Sequence, residues 1–331
     1  MANPSLDVVG IGNAIVDVIA QAEEGLLRRL DLVKGTMALI DARRADELYA
    51  KLGPAVEMSG GSAGNTMAGI ASLGGKGAYV GKVRNDQLGK VFRHDIRAIG
   101  VAFDTPALDV GPSTARCLIL VTPDAQRTMN TYLGACVELG PEDIAAETIG
   151  AAQVTYLEGY LFDPPRAKQA FRKAASLAHA AGRKVSLSLS DPFCVDRHRN
   201  EFRELVHEHV DILFANESEI CSLYEVENFD DAVRTVGGHC EIAALTRSER
   251  GSVIITRDGT IEVGAAKVAH LVDTTGAGDL YASGFLFGLT HGRELAVCGR
   301  LGSLCAAEAI SHYGARPETS LKALAVDAGL L

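Results

Sequence analysis

The sequence predicts an α/β fold built around a mostly parallel sheet. Short runs of apolar and β-branched residues alternate with longer stretches of helical periodicity through most of the 331 residues. Several of the short runs are almost continuously apolar, as expected of parallel strands that are covered on both faces. No low-complexity tract, Pro/Ser-rich linker or internal repeat divides the chain, so we expect residues 1–331 to form a single domain.

The strands of the main sheet are expected where short apolar runs are bounded by turn residues. These runs are 6–12, 78–83, 154–157, 185–189, 212–214, 242–246 and 252–256. Helices are expected where apolar residues recur at helical spacing, at 44–51, 64–73, 87–99, 166–181, 218–224 and 280–289. The last helix follows two glycines and Asp279, a suitable helix start.

One segment interrupts the alternation of strands and helices. Residues 115–121 and 127–133 flank a Pro123-Asp124 turn and predict a β-hairpin. Together with strand-like stretches at 16–20 and 36–40, the hairpin is expected to form a small separate sheet over the main domain. This excursion covers approximately residues 13–40 and 113–134.

The composition limits the class of protein. Apolar residues make up 47% of the chain and charged residues 22%, which is typical of a globular protein. The net charge of −10 argues against binding to nucleic acid or to an anionic membrane surface. The N-terminal apolar run follows no Lys or Arg and is interrupted by polar residues, so it predicts neither a signal peptide nor a spanning helix. We therefore expect a cytoplasmic protein.

The most informative cluster is Asp273-Thr-Thr-Gly-Ala-Gly-Asp279, directly before an apolar helical pattern. The two glycines let the backbone turn tightly, so that successive N–H groups at a helix start can hold one anion. Asp279 would be kept ionised by the helix dipole and could accept a proton. That pairing suits phosphoryl transfer to an alcohol. The alternative is that Asp279 is only an N-cap.

Two further clusters combine glycine or strand ends with polar side chains. The segment Gly60-Gly-Ser-Ala-Gly-Asn65 can approach and hydrogen-bond a polyol, with Ser62 as a possible N-cap; alternatively it is an ordinary loop-to-helix turn. The segment Asn216-Glu-Ser-Glu219 follows a strand, where its oxygens could order Mg²⁺ and its waters, or Asn216 could simply cap a helix.

Of two common nucleotide-binding motifs, one is disfavoured and the other is excluded. The Gly10-x-Gly12 cluster has Ile15 where the dinucleotide fingerprint requires glycine. Gly81-Lys82 and Gly89-Lys90 are each followed by Val, so neither is a Walker A loop.

Taken together and in this order, the three clusters resemble the ribokinase-type (PfkB) family of sugar and nucleoside kinases, over essentially the whole chain. The resemblance implies a three-layer sandwich with a small β-sheet lid, and in-line transfer of a phosphoryl group from ATP with Mg²⁺. It also implies a K⁺ site near the Asp273 loop, as in many relatives. The partners would be a nucleoside or sugar and ATP, with the protein a monomer or a homodimer.

Within the family the chain is most similar to the adenosine kinases, through a G-N-x-x-x-D element at residues 12–17. The resemblance implies that ribose is bound by Asn13, Asp17, Gly61, Ser62 and Asn65, with Phe193 near the base. It assigns Arg127 to the transferring phosphates, Glu219 to Mg²⁺ through water, and ATP contacts to Asn216, Thr246 and Gly251. Asp279 would be the base, beside an anion hole formed by Gly276, Ala277, Gly278 and the Asp279 N–H.

Two positions depart from the adenosine kinase pattern. Tyr160-Leu161 stands where an aromatic pair helps to sandwich adenine, and Gly64 stands where a side chain is commoner, which could loosen the helix start. The resemblance to the adenosine kinases still implies adenosine as the acceptor and AMP as the product. The alternatives are a free sugar such as ribose or fructose, inosine or guanosine, and a non-catalytic nucleoside-binding protein. The intact Asp279 and its glycines disfavour the last.

Overall fold

The computed structural model describes residues 3–124 and 126–331 and confirms the predicted α/β fold. Eight strands form a large sheet in the order β13-β12-β11-β10-β9-β8-β1-β5. They are β1 (Leu6–Ile11), β5 (Gly77–Val80), β8 (Ala152–Glu158), β9 (Lys184–Ser188), β10 (Ile212–Asn216), β11 (Ile242–Thr246), β12 (Ser252–Thr256) and β13 (Gly259–Val263). Six neighbouring strands of this sheet run parallel, namely β5, β1, β8, β9, β10 and β11. The strands β12 and β13 continue the sheet with antiparallel pairing.

A second, smaller sheet has the order β3-β7-β6-β2-β4. Its strands are β2 (Ile15–Gln21), β3 (Met37–Leu39), β4 (Ala55–Ser59), β6 (Ala115–Val121) and β7 (Arg127–Tyr132). The predicted hairpin is the antiparallel pair of β6 and β7, and the strand-like stretches near 16–20 and 36–40 are β2 and β3. The sequence analysis missed β4, whose pairing with β2 joins segments about forty residues apart.

Helices cover both faces of the large sheet and one face of the small sheet. They are α1 (Glu24–Arg29), α2 (Ala42–Tyr49), α3 (Ser62–Leu73), α4 (Gln87–Ala98), α5 (Ala146–Ala151), α6 (Pro165–Ala180), α7 (Pro192–His209), α8 (Glu217–Tyr224), α9 (Phe229–Val236), α10 (Ala277–Thr290), α11 (Leu295–Ala309) and α12 (Leu321–Asp327). Side chains of α5 to α9 form one buried cluster with the sheet, and those of α3, α4, α10 and α11 form another. The result is three layers, as the fold class requires.

The parallel strands end together at one edge of the large sheet. Asn216 at the end of β10 is the register partner of Thr246 at the end of β11, and Glu158 is the partner of Ser188. In open α/β sheets this carboxyl edge is where ligands bind. The small sheet lies over the same edge, because β2 begins four residues after β1 ends.

Helix α10 begins earlier than the sequence predicts. The expected start was residue 280, whereas the helix runs from Ala277 to Thr290 with Gly276 as its N-cap. Gly276 has a φ of 78°, and a Cβ at this position would lie 2.3 Å from the Ala315 Cβ. Only glycine fits, and the turn it makes places Asp279 inside the first helical turn.

Candidate active site

A cavity of about 1460 Å³ lies between the carboxyl edge of the large sheet and the small sheet. All of the site residues predicted from the sequence line it. Its floor is formed by the segments that follow the parallel strands, and part of its wall is the inner face of β2, β6 and β7. The fold therefore brings segments from widely separated parts of the chain to one place.

Asp279 lies on this floor and is held by two side chains of α3. Its carboxylate accepts hydrogen bonds from Ser62 Oγ at 2.6 Å and from Asn65 Nδ2 at 3.0 Å. The interpretation of Asp279 as an N-cap is thus wrong, since its side chain bonds to α3 rather than to its own helix. Burial raises the pKa of Asp279, while the two hydrogen bonds and the charge of Arg316 oppose the increase.

The sequence analysis expected the helix dipole to keep the carboxylate ionised. Burial is the largest influence on its pKa and acts in the opposite direction, toward the protonated form. A carboxylate with a raised pKa is a stronger base than an exposed one. The position of Asp279 therefore suits proton transfer better than the sequence alone indicated.

The backbone before and after Gly278 presents free N–H groups to the cavity. In the described chain, the amides of Gly276, Gly278 and Asp279 have no hydrogen-bond acceptor, whereas the Ala277 amide donates to the Thr274 carbonyl at 3.2 Å. A Cβ added at Gly278 would meet nothing within 4 Å. An open space above unpaired amides at a helix N-terminus fits an anion such as a phosphate.

The start of α3 is set by Gly61 rather than by Ser62. Gly61 is the N-cap, with a φ of 83°, and a Cβ there would lie 2.2 Å from the Asn13 carbonyl oxygen. The prediction that Ser62 caps this helix is wrong. Its hydroxyl is instead available to Asp279, and the next turn places Asn65 beside it.

Glu158 is a buried acid in this site that the sequence analysis did not assign. It accepts from Asn13 Nδ2 at 2.7 Å, from the Asn13 amide at 3.3 Å and from the Ala63 amide at 2.8 Å. Burial raises its pKa to about 7. Glu158 joins the loop after β1 to the first turn of α3, so it fixes the spacing of the two segments that were predicted to bind ribose.

Asp17 faces the cavity from β2. A Cβ at Gly60 would lie 2.4 Å from its Oδ2, so the backbone of residue 60 approaches the carboxylate closely. Burial raises the pKa of Asp17 to about 6, against the opposing charges of Arg316 and Arg127. Its carboxyl oxygens can accept hydrogen bonds from hydroxyl groups.

Arg127 connects the small sheet to the loop before α10. Its Nη1 lies 2.9 Å from Asp273 Oδ2, and both side chains are about nine-tenths buried. Asp273 also accepts from the amide and hydroxyl of Thr275 and from the Gly314 amide. Burial acts to raise the pKa of Asp273, but these hydrogen bonds and Arg127 outweigh it and lower the pKa.

Asn216 and Glu219 form a capping box at the start of α8. Glu219 accepts from the Asn216 amide at 2.9 Å and from its Nδ2 at 2.6 Å, while Asn216 Oδ1 caps the helix. Burial raises the pKa of Glu219 to about 7, and the nearby charges of Asp191 and Asp279 add to the increase. No group of three acidic, His or Cys side chains in the described residues could hold a metal alone. These oxygens fit a hydrated Mg²⁺ that arrives with phosphate ligands.

The neighbouring turn after β11 is shaped by Gly251. Its φ is 82°, and a Cβ would lie 2.0 Å from the Val263 carbonyl oxygen, so no other residue fits this turn. Thr246 ends β11 beside Asn216. Phe193, which is 74% exposed, and Tyr160, which is 38% exposed, also line the cavity. The cavity lining thus includes both polar and aromatic side chains.

Arg316 is the second site residue that the sequence analysis missed. Its Nε donates to the Ser59 carbonyl at 3.1 Å, its Nη1 to the Gly64 carbonyl at 2.9 Å and its Nη2 to Ser59 Oγ at 3.2 Å. It belongs to none of the glycine clusters, and it reaches the cavity from more than 250 positions further along the chain. No local pattern identifies it.

Unpaired amides at a helix start with a carboxylate beside them, in a cavity lined by further polar side chains, are the arrangement expected of a phosphotransferase that acts on a hydroxyl group. The model of the family described as pfkB family carbohydrate kinase matches residues 31–322. The chain belongs to this family, as the order of its motifs predicted, and is an ATP-dependent phosphotransferase with a hydroxyl group as acceptor.

Two solved structures are similar over almost the whole chain. The adenosine kinase from Sinorhizobium meliloti is 56% identical with a TM-score of 0.90, over 98% of this chain and 99% of that one. A probable sugar kinase protein from Rhizobium etli CFN 42 is 53% identical with a TM-score of 0.92, over 99% and 100%.

Curated relatives are more distant and act on different acceptors. The adenosine kinase of Saccharomyces cerevisiae is 25% identical over 93% of this chain and 95% of its own length. The cytidine kinase of Thermococcus kodakarensis is 27% identical over 81% and 94%, and the 5-dehydro-2-deoxygluconokinase of Geobacillus thermodenitrificans is 26% identical over 86% and 88%. Within the described residues, no helix has the length and apolarity needed to cross a membrane.

Proposed function

We propose that this kinase transfers the γ-phosphoryl group of ATP to the 5′-hydroxyl of a nucleoside, with adenosine as the preferred acceptor and AMP as the product. The observation that carries the proposal is the carboxylate of Asp279, which Ser62 and Asn65 hold beside unpaired amides in the cavity that Asp17 also lines. The adenosine kinase that is 56% identical to the chain supports adenosine as the acceptor.

Asp279 acts as the general base in this proposal. Ser62 and Asn65 hold its two carboxylate oxygens, which orients it toward the acceptor hydroxyl. As the acceptor oxygen attacks, the amides of Gly276, Gly278 and Asp279 stabilise charge on the moving phosphoryl group. The Ala277 amide, bonded to Thr274, contributes less than the sequence analysis expected.

The acceptor is gripped on the side of the small sheet. Asp17 accepts hydrogen bonds from ribose hydroxyls, and Asn13 exchanges hydrogen bonds with them. Gly61 and Asn65 line the same wall, and Phe193 covers the base. Holding the hydroxyl near Asp279 lowers the entropic barrier to attack. The exposed ring of Phe193 is free to stack on a planar base, which a free sugar does not offer.

ATP lies along the carboxyl edge of the large sheet, against Asn216, Thr246 and Gly251. Glu219 would hold Mg²⁺ through water, and the ion would supply positive charge that neutralises the phosphates. Arg127, already at the phosphate end of the cavity, reaches the transferring group. The small sheet was expected at residues 13–40 and 113–134 of a single domain and also includes β4; in this proposal it closes as a lid and excludes water. The carboxylate of Asp273 is fully engaged by protein donors, so we do not assign a K⁺ ligand to it.

The test is release of ADP from ATP and Mg²⁺ with adenosine, inosine, guanosine, cytidine, ribose, fructose or no acceptor. We expect turnover with adenosine to exceed that with every other compound. Preferential turnover of a free sugar would keep the phosphoryl transfer and overturn the nucleoside proposal. Binding of adenosine without turnover of any compound would indicate a nucleoside-binding protein.

A further inference from the structure

The segment 313–316 contacts three parts of the cavity wall: the small sheet, the loop before α10 and the start of α3. The ring of Tyr313 lies under Arg127, with the guanidinium carbon 5.9 Å from the ring centre. The Gly314 amide donates to Asp273 at 3.0 Å, and Ala315 packs against Gly276. Arg316 then extends to β4 and α3. One short segment therefore fixes the relative positions of the small sheet, the loop before α10 and the start of α3.

Arg316 makes the contact with α3. Its three hydrogen bonds go to Ser59 and to the Gly64 carbonyl, and none of them goes to a carboxylate. Gly64 is in the first turn of α3, between Ser62 and Asn65, which hold Asp279. Movement of the guanidinium would move the turn that orients the base.

The glycine at position 64 gives an independent indication that this arrangement is specific. A Cβ at Gly64 would lie 3.3 Å from Arg316 Nη2, closer than ordinary van der Waals contact. Glycine inside a helix is unfavourable relative to alanine by roughly 1 kcal/mol. Gly64 has no positive φ that would require glycine. The space it leaves is filled by the Arg316 guanidinium.

The charge of Arg316 also faces the acids of the site. Asp17 on β2, Asp95 on α4 and Asp279 on α10 surround it, together with the phenol of Tyr79 on β5. Arg127 on β7 is the other cation that acts on Asp17. Arg316 lowers the pKa of both Asp17 and Asp279, against the burial that raises them.

We propose that Arg316 is a positioning residue for phosphoryl transfer: it fixes the first turn of α3, through which Ser62 and Asn65 hold Asp279, and it supplies the positive charge that faces Asp17 and Asp279. The inference rests on the proposed function, because it assigns Asp279 the role of base. It adds a residue from outside the recognised motifs.

The experiment compares Arg316→Gln, Arg316→Lys and Gly64→Ala in kcat and KM across pH, with thermal unfolding of each variant. Arg316→Gln should lower kcat/KM by about 10²-fold, the effect of a misplaced catalytic group, and should move the acidic limb of the profile to higher pH. Arg316→Lys retains the charge, so its acidic limb should stay at the wild-type pH while kcat/KM falls less. A role in folding alone would lower the melting temperature and leave the limb unmoved.

Gly64→Ala tests the geometry without removing the charge. It should lower kcat/KM about tenfold, or 1.4 kcal/mol, without lowering the melting temperature. Gly150→Ala is the matched control, because Gly150 also lies in a helix and its nearest neighbour would be 3.8 Å from an added Cβ. Wild-type kinetics in Gly64→Ala, or an unmoved acidic limb in Arg316→Gln, would overturn the proposal. If Arg316→Gln does not fold, Arg316→Lys and Gly64→Ala still decide it.

The two proposals fail in different ways. A wild-type protein that phosphorylates no nucleoside contradicts the proposed function. The titration of Asp279 can then be followed by ¹³C NMR of its carboxyl carbon, which requires no substrate, with Asp279→Asn used to assign the signal. A midpoint that is the same in Arg316→Gln and the wild type would contradict the inference about Arg316 by itself.

Discussion

The segment from Asp273 to Asp279 has an aspartate at each end, and the surroundings shift the pKa values of the two carboxylates in opposite directions. Asp273 accepts hydrogen bonds from Thr275 and Gly314 and pairs with Arg127, and its pKa is lowered. Asp279, six positions later, accepts hydrogen bonds from Ser62 and Asn65, both neutral and the only donors to it among the described residues, and burial raises its pKa. One carboxylate is stabilised as an anion, and the other is held ready to accept a proton.

This difference teaches how one short motif can serve both structure and chemistry. A carboxylate with a cationic partner and several donors remains charged, so it is a fixed point that ties β7 to the loop. A carboxylate with neutral donors in a buried setting keeps its affinity for a proton. Perturbed acids of the second kind mark functional sites more often than those of the first.

The largest expected effect on activity comes from removing the carboxylate of Asp279. Asp279→Asn keeps the size of the side chain and removes the base, so kcat should fall by about 10²- to 10⁴-fold, the range for general-base catalysis. Nucleoside affinity, measured by calorimetry, should change little. Ser62→Ala is the matched control, since it leaves the carboxylate and removes one of its donors. An Asp279→Asn variant with wild-type turnover would exclude Asp279 as the base.

A smaller effect on activity is expected from removing the carboxylate of Asp273. Asp273→Asn leaves Arg127 buried without its anion and should destabilise the fold by about 3 kcal/mol, the cost of breaking a buried pair. Through displacement of Arg127, kcat/KM should fall roughly tenfold. Thr275→Val, which removes one neutral hydrogen bond to the same carboxylate, should cost only about 1 kcal/mol. Equal destabilisation by the two variants would show that the charge pair adds nothing.

The smallest effect, and the sharpest test of the comparison, is the pH dependence of stability. Because the pKa of Asp279 is raised in the folded state, its ionisation costs stability as pH rises above 3.8, the ordinary value, and through the folded value. Asp279→Asn should therefore have a higher melting temperature than the wild type at neutral pH. The gain should vanish below pH 3.8.

For Asp273 the sign is reversed. Its pKa is lowered in the folded state, so its contribution is present above 3.8 and is lost as pH falls through the folded value. Asp273→Asn should melt lower than the wild type at neutral pH, and the deficit should shrink in acid. Calorimetry of both variants across pH measures the two signs. Shifts in the same direction at neutral pH would contradict the comparison.

Local patterns in the sequence were sufficient for much of the fold. The strands β11 and β12 were predicted to the residue, because continuous apolar runs end at turns on both sides. In contrast, β4 and β13 carry few buried residues, and their pairing with distant or edge strands defines them. The prediction also missed α7, whose many charged side chains obscure its apolar face.

The residues of the candidate site also differ in whether local sequence patterns identify them. Asp279, Asn65 and Asn216 were predicted, because each belongs to a contiguous motif with glycines or a strand end beside it. Glu158 and Arg316 were missed, because their partners lie about a hundred or more positions away and only packing brings them together. Gly64 was interpreted as a departure that loosens a helix; in the structure it makes room for Arg316.

The position of β1 in the large sheet has a consequence for how the protein is made. This apolar strand lies between β5 and β8, and its residues pair with partners roughly 70 and 145 positions later. A growing chain must therefore carry one open edge of β1 until β8 has been synthesised. Such non-local pairing slows folding and leaves an apolar, aggregation-prone strand edge unpaired until then. Asn13 lies two residues after β1, so the part of the cavity that it lines can assemble only after β8 has been synthesised.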